Sequence, residues 1–139
     1  MKYLLLLIVS IILFTKATAQ TKTNLKTTCT DSNKNDIMES IWFYRGRLSI
    51  DSTDQISFYK IGMCFFKLHK YNSAIEYFNK LIILNPEYLN VFSNRGICNL
   101  FLNKRRDACI DFLQSVKQGQ DQEIIEGQKV TDWLKKECN

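Results

Sequence analysis

Apolar residues recur along this chain at helical spacing, and short polar or turn-forming stretches interrupt them. In DIMESIWFYRGRLSI, Ile37, Ile41, Tyr44 and Leu48 follow at steps of four, three and four. That spacing puts them on one face of an amphipathic helix. Ser52 and Gln55 have capping-box spacing and predict a new helix from about Thr53. Ile61, Phe65 and Leu68 continue it until LHKYN breaks the pattern. Ile75, Phe78 and Ile82 mark the next helix. It should end at Asn85-Pro86, because proline disfavours the helical conformation in the residue before it.

The pattern then repeats. Gly62 and Gly96 stand 34 residues apart, and so do Ala74 and Ala108, Phe78 and Phe112, Phe58 and Phe92, and Cys64 and Cys98. The first unit reads Phe58-x2-Ile61-Gly62-x2-Phe65, then Ala74-x3-Phe78, then Pro86. This resembles the tetratricopeptide repeat, a helical pair with the pattern W-x2-L-G-x2-Y, A-x3-F, P. The second unit is looser: Arg95 replaces the leucine, Asn99 the aromatic and Gln120 the proline. Asn99 predicts weaker packing there. The resemblance gives Gly62, Ala74, Phe78, Pro86, Gly96, Ala108 and Phe112 structural roles. Small residues let paired helices approach, which offsets the helix-propensity cost of glycine, about 1 kcal/mol.

The implied fold is all-α, a short right-handed solenoid of two hairpins, at about 55–88 and 89–122. Capping helices are expected at about 36–50 and 123–137, six helices in all. The polar-faced caps would keep the array soluble.

Composition adds a compartment. Residues 1–19 carry Lys2, an apolar run from Tyr3 to Phe14 and Ala17-Thr18-Ala19, the layout of a secretory signal peptide. Export to a periplasm or to the exterior is expected, with an uncleaved membrane anchor as the alternative. The polar stretch 20–35 reads as a flexible leader. Without Lys2 and Lys16 the net charge falls from +5 to about +3, too little to indicate nucleic acid. Membrane contact is expected only if the N-terminal segment is retained.

Five cysteines without a C-x-x-C pair, and a single histidine, give no metal site. Cys64, Cys98 and Cys109 are expected to be buried. A Cys98–Cys109 bridge is one alternative, and Cys29 and Cys138 are left to pair with each other or with a partner chain. No nucleophile has a histidine near it in sequence, His69 sits in a turn, and there is no glycine-rich phosphate loop. A non-enzymatic protein without a cofactor is expected.

Members of the resembled family bind peptides or protein segments on a concave surface made by the first helix of each pair. Here that surface would comprise Ile56, Tyr59, Lys60, Met63, Phe66 and Lys67, with Asn90, Ser93, Asn94, Ile97 and Phe101. Some members hold a partner's C-terminal carboxylate with lysine and asparagine at set positions. Of that set Asn94 alone matches clearly, and Tyr59 and Met63 replace two others, so an apolar or aromatic segment is the expected ligand. The alternative is a structural subunit of an envelope assembly, its groove filled by its own chain or by a second copy.

Overall fold

The computed structural model describes residues 33–120, 123–125 and 128–138. The signal-peptide reading, most of the leader and Cys29 lie outside them. Among the described residues six helices follow in order: α1 (Lys34–Ile50), α2 (Gln55–Lys67), α3 (Tyr71–Leu84), α4 (Val91–Phe101), α5 (Arg105–Lys117) and α6 (Val130–Glu137). Strands β1 (Glu123–Ile125) and β2 (Gln128–Lys129) form a short antiparallel ribbon before α6. The helices pack chiefly on their neighbours in sequence, giving an all-α solenoid. No helix of the described residues is long and apolar enough to cross a membrane.

Helix boundaries follow local hydrogen bonding. Asn33 caps α1 by accepting from the backbone N–H of Asn35 and Asp36, at 2.8 and 3.2 Å. The first helix therefore starts two residues before the expected Asp36. The Ser52–Gln55 capping box does not form. Asp51 instead accepts from the Thr53 backbone and hydroxyl, holding those residues in a turn. Asp54 becomes the cap, accepting from the Ser57 N–H at 3.2 Å, the Ser57 hydroxyl at 2.6 Å and Arg47 Nε at 2.7 Å. The C-terminal cap is also shorter than expected. EIIEGQK sets β-branched residues before a glycine, a hairpin pattern, and the helix begins only at Val130.

Gly62 lies under the ring of Phe78. A Cβ there would sit 2.6 Å from Phe78 Cε1, and at Gly96 the same atom would sit 2.7 Å from Phe112 Cε1. Each glycine thus makes room for the aromatic sixteen residues later, so the 34-residue period is a repeated contact in space. Ala74, Phe78, Ala108 and Phe112 are fully buried. Gly62→Leu is expected to destabilise the domain by about 1–3 kcal/mol or more, because the buried ring has nowhere to move. A denaturant midpoint equal to wild type would mean that α2 and α3 meet in another register.

The core has two parts. Ile37, Ile41 and Tyr44 of α1 join Phe58, Ile61, Phe65, Phe78 and Leu81 in the larger one. Phe112, Val130 and Leu134 centre the smaller one, with the Trp133 and Phe112 rings edge to face at 5.1 Å. Cys109 and Cys138 form a disulfide that ties α6 to α5. The Cys98–Cys109 and Cys29–Cys138 alternatives are thereby set aside: Cys109 lies on the side of α5 that meets α6, and Cys98 is a buried free thiol. Cys64 is also disulfide-bonded.

Candidate peptide-binding face

The candidate residues lie on α2 and α4, the first helices of the two hairpins, with Asn90 just before α4. Tyr59, Met63 and Phe66 are half-buried and pack on the larger core. The Tyr59 hydroxyl accepts from Asn94 Nδ2 at 3.1 Å, a bond that joins the two hairpins. The Tyr59 ring lies 5.2 Å from that of Tyr88 and 6.3 Å from that of Phe78, so Tyr59 is anchored on both sides. Lys60 and Lys67 are half-buried on the same helix.

At the far end of this face, Phe66 lies 5.7 Å from Tyr71 and 6.0 Å from Phe101, and Tyr71 stacks on Phe101 at 4.7 Å. Phe101 is 49% exposed. Tyr71 belongs to α3 and was not among the expected residues. Its place at the start of the second helix hid it, although it follows the turn that Phe66 precedes. His69 is exposed in that turn, and its Nδ1 lies 2.9 Å from the Tyr71 hydroxyl.

The second hairpin contributes less open surface. Asn90 has left-handed φ of 63°, its backbone N–H donates to Gln120 Oε1 at 2.8 Å, and its carbonyl accepts from the Ser93 hydroxyl. Ser93 is fully buried, so it does not line a surface as expected. Ile97 packs partly on the smaller core. Asn94 remains half-buried beside Tyr59. The sequence of α2 and that of α4 hold no Asp or Glu, so the face carries no negative side chain of its own.

A second concavity lies between α3, α4 and α5. It is a cleft of about 260 Å³ lined by Ile75, Asn79, Arg95, Asn99, Lys104, Asp107, Ile110 and Asp111. Asp111 forms its floor and is 2% exposed. Arg95 Nε donates to both Asp111 oxygens, at 3.1 and 3.0 Å, and Asn99 Nδ2 donates to Oδ2 at 3.1 Å. Arg95 also donates to Asn79 Oδ1 at 2.6 Å. Burial pushes the Asp111 carboxyl above its ordinary range, outweighing the guanidinium and amide that pull it down. Burial likewise pushes the Cys98 thiol up to about 12, with the Asp111 charge adding to the effect. That thiol stays protonated and behaves as a small apolar side chain.

The arrangement is that of a short helical-repeat solenoid, with half-exposed rings on the first helix of each pair. Residues 56–88 match the model of the tetratricopeptide repeat. The chain carries a tetratricopeptide repeat and has the tetratricopeptide-repeat fold. Among solved structures it is similar to the first TPR of Spaghetti (RPAP3) bound to the HSP90 peptide SRMEEVD, with 21% identity, TM-score 0.65, and 75% of this chain and 79% of that one covered. It is also similar to the second TPR domain of human RPAP3 in complex with the HSP70 peptide SGPTIEEVD, with 21% identity, TM-score 0.63, and 76% and 83% covered. The first TPR domain of human RPAP3 gives 21% identity, TM-score 0.63, and 75% and 78% covered. At this identity the likeness establishes the fold. No curated protein sequence matches the chain significantly.

Proposed function

We propose that this protein is an exported, non-catalytic interaction module that binds a peptide or protein segment across α2 and α4. One observation carries the reading. Tyr59, Met63, Phe66 and Phe101 present aromatic and thioether surface on a face whose helices hold no carboxylate. Anchored aromatic side chains ringed by polar groups are where binding energy concentrates. Tyr59 is held by Asn94 and Tyr88 before any partner arrives, which lowers the ordering cost of binding. Two of the similar structures hold peptides, which supports a peptide-sized ligand. The disulfides at Cys109–Cys138 and at Cys64 support an oxidising compartment.

The test uses partners captured from the envelope of the exporting cell, followed by calorimetry on the strongest. Phe66→Ala and Tyr59→Ala, checked as folded by circular dichroism, should each weaken binding by about 2 kcal/mol or more. Asn94→Ala should cost less. Wild-type affinity in both aromatic variants would remove this face from the proposal. A tight dimer that buries Tyr59 and Phe66 would assign the face to self-association.

A further inference from the structure

The two edges of the solenoid differ in their balance of charge. The turn inside each hairpin lies on one edge, because Tyr71 stacks on Phe101 across them at 4.7 Å. The first turn region, Phe66–Tyr71, contains Lys67, His69 and Lys70, and the second, Phe101–Arg106, contains Lys104, Arg105 and Arg106. Neither stretch contains an Asp or Glu, and the exposed Asp107 follows directly after Arg106. Arg105 is paired with Glu137, while Lys70, Lys104 and Arg106 are exposed. His69 and Asn103 have left-handed φ, 56° and 57°, so both turns fold tightly and close the two hairpins at the same level. The opposite edge holds the turns between units and carries Asp51, Asp54 and Glu87, with Arg47 paired to Asp54 and Lys117 at the end of α5.

We propose that the basic edge docks on anionic lipid headgroups. Its cations are spread over the turns of two separate hairpins, which supplies charge density without the fixed hydrogen-bonding geometry that selects one peptide. The half-exposed Phe101 ring lies among them. Exposed lysine and arginine around an aromatic ring suit the boundary between headgroups and acyl chains. The chain also enters the domain at this edge. α1 and α2 are joined by a tight turn at Asp51–Asp54 and run antiparallel, so the N-terminus of α1 lies beside the C-terminus of α2. This surface is distinct from the Tyr59–Asn94 part of the peptide-binding face and meets that face at Phe66 and Phe101.

The experiment is co-sedimentation of the full exported chain with phosphatidylcholine vesicles, with and without phosphatidylglycerol. Binding is expected on the anionic vesicles, falling as salt rises through the range that screens surface charge. Lys70→Glu/Lys104→Glu/Arg106→Glu should lower partitioning by about tenfold or more. Lys80→Glu/Lys117→Glu/Lys129→Glu makes the same change in net charge away from this edge and should retain most of the binding. Equal loss in both triple variants, equal binding to neutral vesicles, or no binding at all would overturn the proposal. Capture of soluble polyglutamate without vesicle binding would also overturn it, and would assign the edge to acidic polypeptides.

Discussion

Arg95→Ala is expected to destabilise the domain by about 3–5 kcal/mol, the range for a buried pair that loses one partner. Asp111 is 2% exposed and takes most of its hydrogen bonds from Arg95. After the substitution only the Asn99 amide would face it. The carboxyl already sits above its ordinary range through burial, and losing the guanidinium removes the strongest influence holding it down. The sign of the pH dependence follows. A carboxyl raised in the folded state makes the native form bind more protons than the unfolded one. Stability then falls as pH rises from the unfolded value, about 3.9, through the folded one. Urea midpoints of Arg95→Ala should therefore drop more steeply than those of wild type as pH rises above about 4. An unfolding free energy within about 0.5 kcal/mol of wild type at neutral pH would show that the pair contributes no more than an exposed one.

The same site shows what the sequence revealed and what it hid. The 34-residue period was readable because glycine, alanine and phenylalanine recur where backbones and rings touch. Gly62 under Phe78 and Gly96 under Phe112 are that period seen in space. Arg95 and Asn99 read only as two departures from the pattern, one of them predicting weaker packing. In the first unit their positions hold Ile61 and Phe65, and the position of Asp111 holds Tyr77. There Phe65 and Tyr77 pack ring on ring at 5.6 Å, and Arg45 donates to the Tyr77 hydroxyl at 3.3 Å. In the second unit an ionic network fills the same layer. The exchange became visible only when α4 and α5 were brought together. It also suggests a companion variant: Arg95→Ile/Asn99→Phe/Asp111→Tyr restores the aromatic layer and should be neutral or stabilising, since a packed apolar set often equals or exceeds a buried ion pair.

On the candidate face, Tyr59 and Phe66 were singled out by the resemblance, which assigns the concave surface to the first helix of each pair. Tyr71 and Tyr88 join them through tertiary packing, which a single-helix pattern does not record. Ser93 followed the same spacing, yet its hydroxyl turns back to the Asn90 carbonyl because the chain enters α4 through a left-handed residue. The ribbon before α6 was lost for a different reason. Its strands span only three and two residues, too short for alternation to outweigh the helical spacing read across 123–137.

Cys138→Ala is expected to lower stability by about 2–4 kcal/mol, the usual range for a native disulfide. The bridge to Cys109 spans 29 residues of chain, so its loss frees a long loop in the unfolded state. It also releases a helix that has little stability of its own. α6 is eight residues long, well under the length at which an isolated helix holds in water. Its other attachments include Val130 and Leu134 in the smaller core, Trp133 against Phe112, and the ion pair of Glu137 with Arg105. Hydrogen exchange should therefore show α6 opening ahead of α3 and α4, while peptide mapping of the unreduced wild type should recover the Cys109–Cys138 linkage. Cys109→Ala should resemble Cys138→Ala, and the double variant should cost little more than either single, because both remove one bond. Fully additive losses would mean that each cysteine stabilises the domain through its own packing and that the bridge itself does not hold the cap in place.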